Sequence, residues 1–213
     1  EFAAFAAAVA KVALERKPAD VQGLLALPLP TGGTIDDKRR EMVARIGENI
    51  SVRRFVRVDA EGTLAHYLHG TRIGTLVAIE GGNADLARDL AMHVAASNPR
   101  YNSTADIPAD IVTKERSFLT EQAAGENKPA EIIAKMVEGR LRKSLGELTL
   151  AGQPFVKDPD TSVEKLLKGA NARVIRFERL EVGAGIEKKQ DDFVAEVMAQ
   201  AQASARKPDG TAH

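Results

Sequence analysis

Apolar residues recur every three or four positions at the start of the chain, as they do along one face of an α-helix. Phe2, Phe5, Val9 and Val12 form this face, with charged residues between them. The pattern predicts a first helix that ends before Pro18, because proline is not accommodated in a helix interior. Prolines and glycines interrupt residues 21–34, which we expect to be an irregular connection.

A second helical pattern runs from residue 35 or 36 to Ile46. Met42, Val43 and Ile46 mark its expected buried side. Gly47 follows at the position where a left-handed residue commonly ends a helix. The spacing therefore predicts a short amphipathic helix that stops at Gly47.

β-branched residues mark the expected strands. Residues 51–58 predict one strand, residues 64–69 and 72–80 a hairpin around Gly70, and residues 174–182 a last strand. In the second hairpin strand, alternation places on one face Ile73, Thr75, Val77 and Ile79.

Helical spacing returns between the hairpin and the last strand. Asn83 can cap a helix that Asn98 and Pro99 end, and a capping pattern from Thr161 to Glu164 begins a short later one. Two tightly joined helices of residues 109–125 and 129–145, the second capped at Asn127 or Lys128, predict an antiparallel hairpin. Its apolar stripes include Ile111, Phe118 and Leu119 in the first helix, and Ile132, Ile133, Met136, Val137 and Leu141 in the second.

Small strands that alternate with helices indicate an α+β fold. We expect small antiparallel sheets packed with helices, plus the inserted antiparallel helical hairpin. A terminal amphipathic helix carries Phe193 and Val197, and the polar residues after Ala203 are expected to be mobile.

Composition removes several classes of function. The chain has 213 residues, with 30 Lys and Arg against 30 Asp and Glu, and this balance disfavours direct nucleic-acid binding. The sequence contains no cysteine, which excludes disulfides, thiolate metal sites and a cysteine nucleophile. No apolar run approaches the ~20 residues that cross a bilayer, so we expect no membrane association and a cytoplasmic protein. Because Glu1 lies inside a helical pattern, we expect a longer parent protein.

Catalytic and metal-binding patterns are scarce. His66 and His69 lie three apart on an expected strand, where their side chains point to opposite faces, and we expect no shared metal. His93 lies on an apolar helix face, as a hydrogen-bonded core histidine does. Ser51 and Ser144 lack the Gly-x-Ser-x-Gly setting of a nucleophile. The residues alone therefore predict a binding protein that is not an enzyme and needs no cofactor.

Six motifs in register resemble signature sequences of bacterial elongation factor Ts. One is Arg-Ile-Gly-Glu-Asn-Ile at residues 45–50, followed by Val-Arg-Arg, and another is Tyr-Leu-His-Gly at residues 67–70, followed by Arg-Ile-Gly. The others are residues 91–97, 136–140, 152–156 and 177–183. Their order and spacing agree with the family from about residue 1 to residue 202.

The resemblance implies a division of the chain. Residues 1–60 correspond to the remnant of a core N-subdomain, and residues 61–101 and 151–185 to a core C-subdomain. Residues 102–150 correspond to a helical-hairpin dimerisation domain, and residues 186–213 to a C-terminal helical module with a mobile tail. It also implies that the strand at residues 51–58 belongs to a sheet whose other strands lie outside this chain.

The same resemblance implies a guanine nucleotide exchange factor for elongation factor Tu. Family position assigns partner contacts to Ile46 and Gly47, to His69, and to the terminal helix with Phe193 and Val197. Family members also carry a Thr-Asp-Phe-Val motif whose aromatic residue wedges into the GTPase, and this sequence lacks it. Asp-Phe-Val-Ala at residues 192–195 is a near-copy, in which Phe193 reads first as an apolar anchor.

Two alternatives to exchange stay open at the level of sequence. One is a self-associating coiled-coil scaffold without exchange activity, in which the helical hairpin forms homodimers. The hairpin is also where the resemblance implies a homodimer of an exchange factor. The other is an enzyme that uses His66, His69 or His93, although no nucleophile lies near them in the sequence.

Overall fold

The computed structural model describes residues 1–126 and 128–185. The expectations for Asn127, for the terminal helix with Phe193 and Val197, and for the tail lie outside these residues. The chain divides into two compact units, Glu1–Leu180 and Glu181–His213. Helices of the described part are α1 (Phe2–Arg16), α2 (Val21–Leu25), α3 (Ile35–Ile46), α4 (Ala84–Ser97), α5 (Ala109–Ala123), α6 (Ala130–Glu147) and α7 (Val163–Gly169). Its strands are β1 (Thr63–His69), β2 (Ile73–Glu80), β3 (Pro154–Phe155), β4 (Asp158–Ser162) and β5 (Arg173–Glu181).

The first three helices share one hydrophobic cluster. Phe5, Val9 and Val12 are buried on α1 as their spacing predicts, and they pack with Leu24 of α2 and Met42 of α3. α2 was not expected: Asp20 caps it by accepting a hydrogen bond from the Gly23 amide, at 2.7 Å. A side-chain cap thus forms a turn of helix inside a segment without helical periodicity.

α3 has the predicted bounds and both predicted ends. Thr34 and Asp37 form a reciprocal capping box, and Gly47 ends the helix with φ 78°. The expectation that Ile46 is buried is wrong, since 43% of its surface is exposed. The last turn of α3 extends beyond the cluster that buries Met42.

The predicted strand at residues 51–58 is not a strand. Among the described residues, the ladders are those of the sheets β1–β2–β5 and β3–β4, and a strand exists only with a hydrogen-bonded neighbour. Ile50, Val52 and Phe55 are instead partly buried against the cluster of α1 and α3. The β-branched composition indicated a strand, but composition cannot specify a hydrogen-bonded neighbour.

The larger sheet of the described residues has three strands in the order β1–β2–β5. β1 and β2 are antiparallel, and their register pairs Thr63 with Ile79 and His69 with Ile73, which confirms the predicted hairpin. Thr75, Val77 and Ile79 are buried, as predicted. α4 covers this face, and the Thr75 hydroxyl donates a 2.8 Å hydrogen bond to the Ala91 carbonyl.

The helical hairpin α5–α6 is confirmed and has a cluster of its own. Leu119, Ala123, Val137, Leu141 and Leu145 are buried there. Two expectations are wrong in detail. Phe118 and Ile132 are exposed rather than part of the stripes, and Pro129 is itself the N-cap of α6.

After the hairpin, the chain returns to the sheet through β3, β4 and α7. Asp158–Ser162 has few strand-forming residues, and its pairing with β3 holds it as β4. The cap of α7 is Ser162, one residue later than expected, and its hydroxyl accepts from the Lys165 amide. Together with the two small sheets, the helical layers confirm the α+β class. No helix among the described residues is long and apolar enough to span a membrane.

Candidate partner-binding surface

Ile46 and Gly47 form an exposed corner at the end of α3. The Gly47 amide donates to the Val43 carbonyl at 2.9 Å, and the left-handed backbone of Gly47 turns the chain away from the helix. Because nothing lies within 4 Å of the position of a Cβ on Gly47, the fold leaves the space beside Ile46 open. An apolar side chain is therefore presented to solvent on a capped, rigid helix end.

His69 lies at the other end of the predicted contact set, at the tip of the β1–β2 hairpin. Its side chain is exposed, and its Nδ1 lies 3.3 Å from the Tyr67 hydroxyl. Tyr67 packs against the core cluster of the sheet. A partly buried tyrosine thus contacts the exposed imidazole.

The structure assigns the two predicted contacts to two different packed clusters. Ile46 belongs to the helix that packs with α1, and His69 to the hairpin that packs with α4. The other two predicted contact residues, Phe193 and Val197, lie outside the described residues. The two predicted contact positions in the described part of the chain therefore lie in different clusters of one unit and do not share a pocket.

An apolar groove lies between these clusters, and sequence reasoning missed it. It is a cavity of about 560 Å³, bounded by α1, by residues 50–58 and by the second face of the sheet. Leu14 is 64% exposed at its wall. Three leucines of the sheet also line the groove: Leu64, Leu76 and Leu180.

A signal for the groove was present in β2. Its residues are apolar on both faces, since Leu76 and Ala78 alternate with the predicted core residues Val77 and Ile79. A strand that is apolar on both faces is typically covered on both faces. Arg53, Arg54 and Arg57 lie along the same lining and place positive charge beside the apolar wall.

His93 is the core histidine that its position predicted. It is fully buried, its Nε2 lies 3.0 Å from Gln153 Oε1, and its Nδ1 accepts from the Val156 amide at 3.2 Å. An acceptor at Nδ1 requires the proton on Nε2, so the ring is neutral. Burial lowers the pKa of His93, and the hydrogen bond that the ring donates to Gln153 opposes this shift.

His66 and His69, the other histidines in the described part of the chain, do not form a ligand set. His66 and His69 are on opposite faces of β1, as strand alternation requires. Within residues 1–126 and 128–185, no three His, Asp or Glu side chains are grouped so that they could hold a metal ion. Around Ile46 and His69 the described surface exposes an apolar side chain and a hydrogen-bonding imidazole.

Comparison with known proteins agrees with the motifs. The model of the family described as "Elongation factor TS" matches residues 1–184. A protein named elongation factor Ts from Alkalilimnicola ehrlichii is 57% identical over 96% of this chain and 70% of its own length. Those from Methylococcus capsulatus and Legionella pneumophila are 53% and 50% identical, over 96% and 93% of this chain and 70% and 68% of their own lengths. The chain therefore belongs to the elongation factor Ts family, whose members act in the elongation stage of protein synthesis.

Proposed function

We propose that this chain is the core of a guanine nucleotide exchange factor, which binds elongation factor Tu in the cytoplasm and promotes release of GDP. It makes and breaks no covalent bond and is not an enzyme. The observation that carries the proposal is the family match across residues 1–184. The exposed corner at Ile46 and Gly47 supports it, because the resemblance assigns a GTPase contact to that position.

Exchange by such a protein is a linkage effect. If the factor weakens GDP binding to elongation factor Tu, then GDP weakens binding of the factor by the same ratio, because the coupling free energy is shared. A coupling of about 4 kcal/mol weakens GDP about a thousandfold. The factor must therefore bind a conformation in which the phosphate-binding groups of the GTPase are displaced.

Two rigid contacts on different clusters suit this task. Ile46 stands on a capped helix and His69 on a paired strand, so both can press on the partner without losing their own geometry. Because the 213 residues contain no Thr-Asp-Phe-Val motif, the aromatic wedge of the family is missing from this surface. We therefore expect this chain to retain more of its affinity for elongation factor Tu than of its ability to accelerate GDP release.

Calorimetry and nucleotide release test the proposal together. The chain should bind nucleotide-free elongation factor Tu more tightly than its GDP complex. It should accelerate release of a fluorescent GDP analogue less than a full-length relative such as the Methylococcus protein does. Equal affinity for both forms, or no binding, contradicts the proposal. Full stimulation of release by the chain would show that the wedge is dispensable.

We also propose that the hairpin α5–α6 forms homodimers, with or without elongation factor Tu. The hairpin has its own core, and it exposes 59% of Phe118 as well as part of Ile132. Large apolar residues at such exposure are common at protein interfaces. Light scattering across a concentration series tests this: a mass that stays at one chain contradicts the dimer. A dimer that fails to bind elongation factor Tu would favour the scaffold alternative.

A further inference from the structure

The helical hairpin α5–α6 is attached to a part of the chain that packs separately from it. This part, the body, comprises the β1–β2–β5 sheet with α4 and α7, which share one hydrophobic cluster. The buried residues of the hairpin form another cluster. Two segments connect the hairpin to the body, residues 98–102 and 148–153, and together they are its base. The direction of the hairpin therefore depends on how the base holds the ends of its helices.

The base is itself fixed to the body. Leu150 is fully buried in the cluster of the body. The Ala151 and Gln153 carbonyls accept hydrogen bonds from the first two amides of α7, at 2.9 and 3.0 Å. The Tyr101 carbonyl accepts from the Leu150 amide at 2.8 Å, so the segment that enters the hairpin is fixed together with the one that leaves it. These contacts leave open the angle at which α6 meets the base.

The side chain of Gln153 extends from the fixed base back to the end of α6. Gln153 is 8% exposed, and its Nε2 donates at 2.8 Å to the carbonyl of Glu147, the last residue of α6. The same Nε2 lies 3.4 Å from the Ser97 carbonyl at the end of α4, and Oε1 accepts from His93 of α4 at 3.0 Å. One amide thus contacts both the hairpin and the body. Because hydrogen bonds weaken steeply when they are misaligned, these contacts favour one angle between α6 and the body.

The residue before Gln153 lies directly against the same helix end. A Cβ on Gly152 would lie 2.6 Å from the carbonyl oxygen of Gly146 and 2.7 Å from its Cα, so only glycine fits there. The buried Thr149 hydroxyl donates to the Gly146 carbonyl at 3.0 Å and accepts from the Gly152 amide at 3.1 Å. The last turn of α6 is therefore in close contact with the base, and a small rotation at this point changes the direction of the whole hairpin.

We propose that the base is a hinge and that Gln153 is its positioning residue, whose amide holds the hairpin in one direction relative to the body. When the hydrogen bonds of this amide are lost, the hairpin rotates about the base as a rigid body, because its own cluster stays packed. Leu150 keeps the base attached during this rotation, since apolar packing is not directional. The hinge is independent of nucleotide exchange and of self-association.

Double electron–electron resonance measures the direction of the hairpin in the full chain. The sequence has no cysteine, so Ala84→Cys at the start of α4 and Gln122→Cys on α5, both exposed positions, provide the attachment sites for two spin labels. An excess of unlabelled chain removes distances between copies. Gln153→Leu should broaden the distribution of distances between positions 84 and 122 about twofold, or split it, because hinge rotation replaces one direction by several.

A second pair of labels tests whether the hairpin moves as a rigid body. Gln122→Cys and Lys143→Cys place labels on the exposed surfaces of α5 and α6, and their distance distribution should stay unchanged in Gln153→Leu. If it broadens as much as that of the first pair, the hairpin itself has loosened and the hinge is overturned. Gln153→Asn keeps an amide that is one methylene shorter, so it should broaden the first distribution less than Gln153→Leu does. It replaces Gln153→Leu in the test if that variant does not fold.

Two controls separate the direction of the hairpin from the stability of the fold. Gln22→Leu makes the same chemical change at an exposed position of α2 and should leave both distributions unchanged. Val9→Ala opens a cavity in the separate cluster of α1 and α3, so it lowers stability but should not change the direction of the hairpin. An unchanged first distribution in folded Gln153→Leu would overturn the hinge, and so would equal broadening by Val9→Ala.

Discussion

At the scale of single residues, His93 shows how a buried polar group is held neutral. Its two ring nitrogens are both occupied, one by the Val156 amide and one by Gln153. A second proton on the ring would turn the acceptor Nδ1 into a donor that faces the Val156 N–H. Protonation therefore costs a hydrogen bond in addition to burial of charge.

This arrangement predicts acid sensitivity. The ordinary pKa of histidine is about 6.5 and the pKa of folded His93 is lower, so between these values the unfolded chain binds more protons. The free energy of unfolding should fall as pH falls through this window, by at most about 1.4 kcal/mol per pH unit. Urea titrations at pH 7.5 and 5.5 measure it. His93→Gln should reduce the pH dependence and His66→Gln should not, and an unchanged slope in His93→Gln would reject this origin.

Ile46 belongs at the same scale because its exposure separates stability from binding. Ile46→Ala removes a half-exposed side chain, so we expect the free energy of unfolding to change by less than about 0.5 kcal/mol. Affinity for nucleotide-free elongation factor Tu should fall about tenfold, as for an apolar contact that a partner buries. Leu68→Ala, at 66% exposure, is the control. A large loss of stability with unchanged affinity would show that Ile46 serves the fold instead.

At the scale of elements, local patterns predicted what local interactions determine. Helical spacing and caps gave α1, α3 and α4, and alternation gave the β1–β2 hairpin with its buried face. The prediction of a strand at residues 51–58 was wrong because a strand depends on a hydrogen-bonded neighbour that no local pattern specifies. Phe118 was predicted in the apolar stripe of α5 but is exposed, because the stripe is narrow and spacing alone does not specify which side of α5 packs against α6.

Gln153 joins two helices, α4 and α6. Its Nε2 donates to the Glu147 carbonyl at the end of α6 and to that of Ser97 at the end of α4, while its Oε1 accepts from His93. Gln153→Leu leaves the buried His93 Nε2–H and these carbonyls unpaired, so we expect a loss of about 2–3 kcal/mol in unfolding free energy. The control is Gln122→Leu on the exposed surface of α5. Equal effects of the two substitutions in urea titrations would contradict a stabilising role of the Gln153 hydrogen bonds.

At the scale of the whole molecule, the groove is an apolar feature that the sequence patterns did not predict. Its walls come from residues far apart in the sequence, from α1 through residues 50–58 to Leu180. The candidate contacts at Ile46 and His69 could be assigned from motifs because each lies within one short segment. The groove could not, since only the packing of α1 and residues 50–58 beside the second face of the sheet creates it.

An open apolar groove of this size should bind a hydrophobic dye such as ANS while the protein is folded. Leu14→Lys and Leu64→Lys each place a charge on its wall at positions that are already exposed, so dye fluorescence should fall severalfold with little change in stability. Leu68→Lys is the decisive control, because Leu68 is at least as exposed as either residue but does not line the groove. If Leu68→Lys lowers the fluorescence as much as the wall variants do, the dye binds scattered surface residues and the groove is not its site.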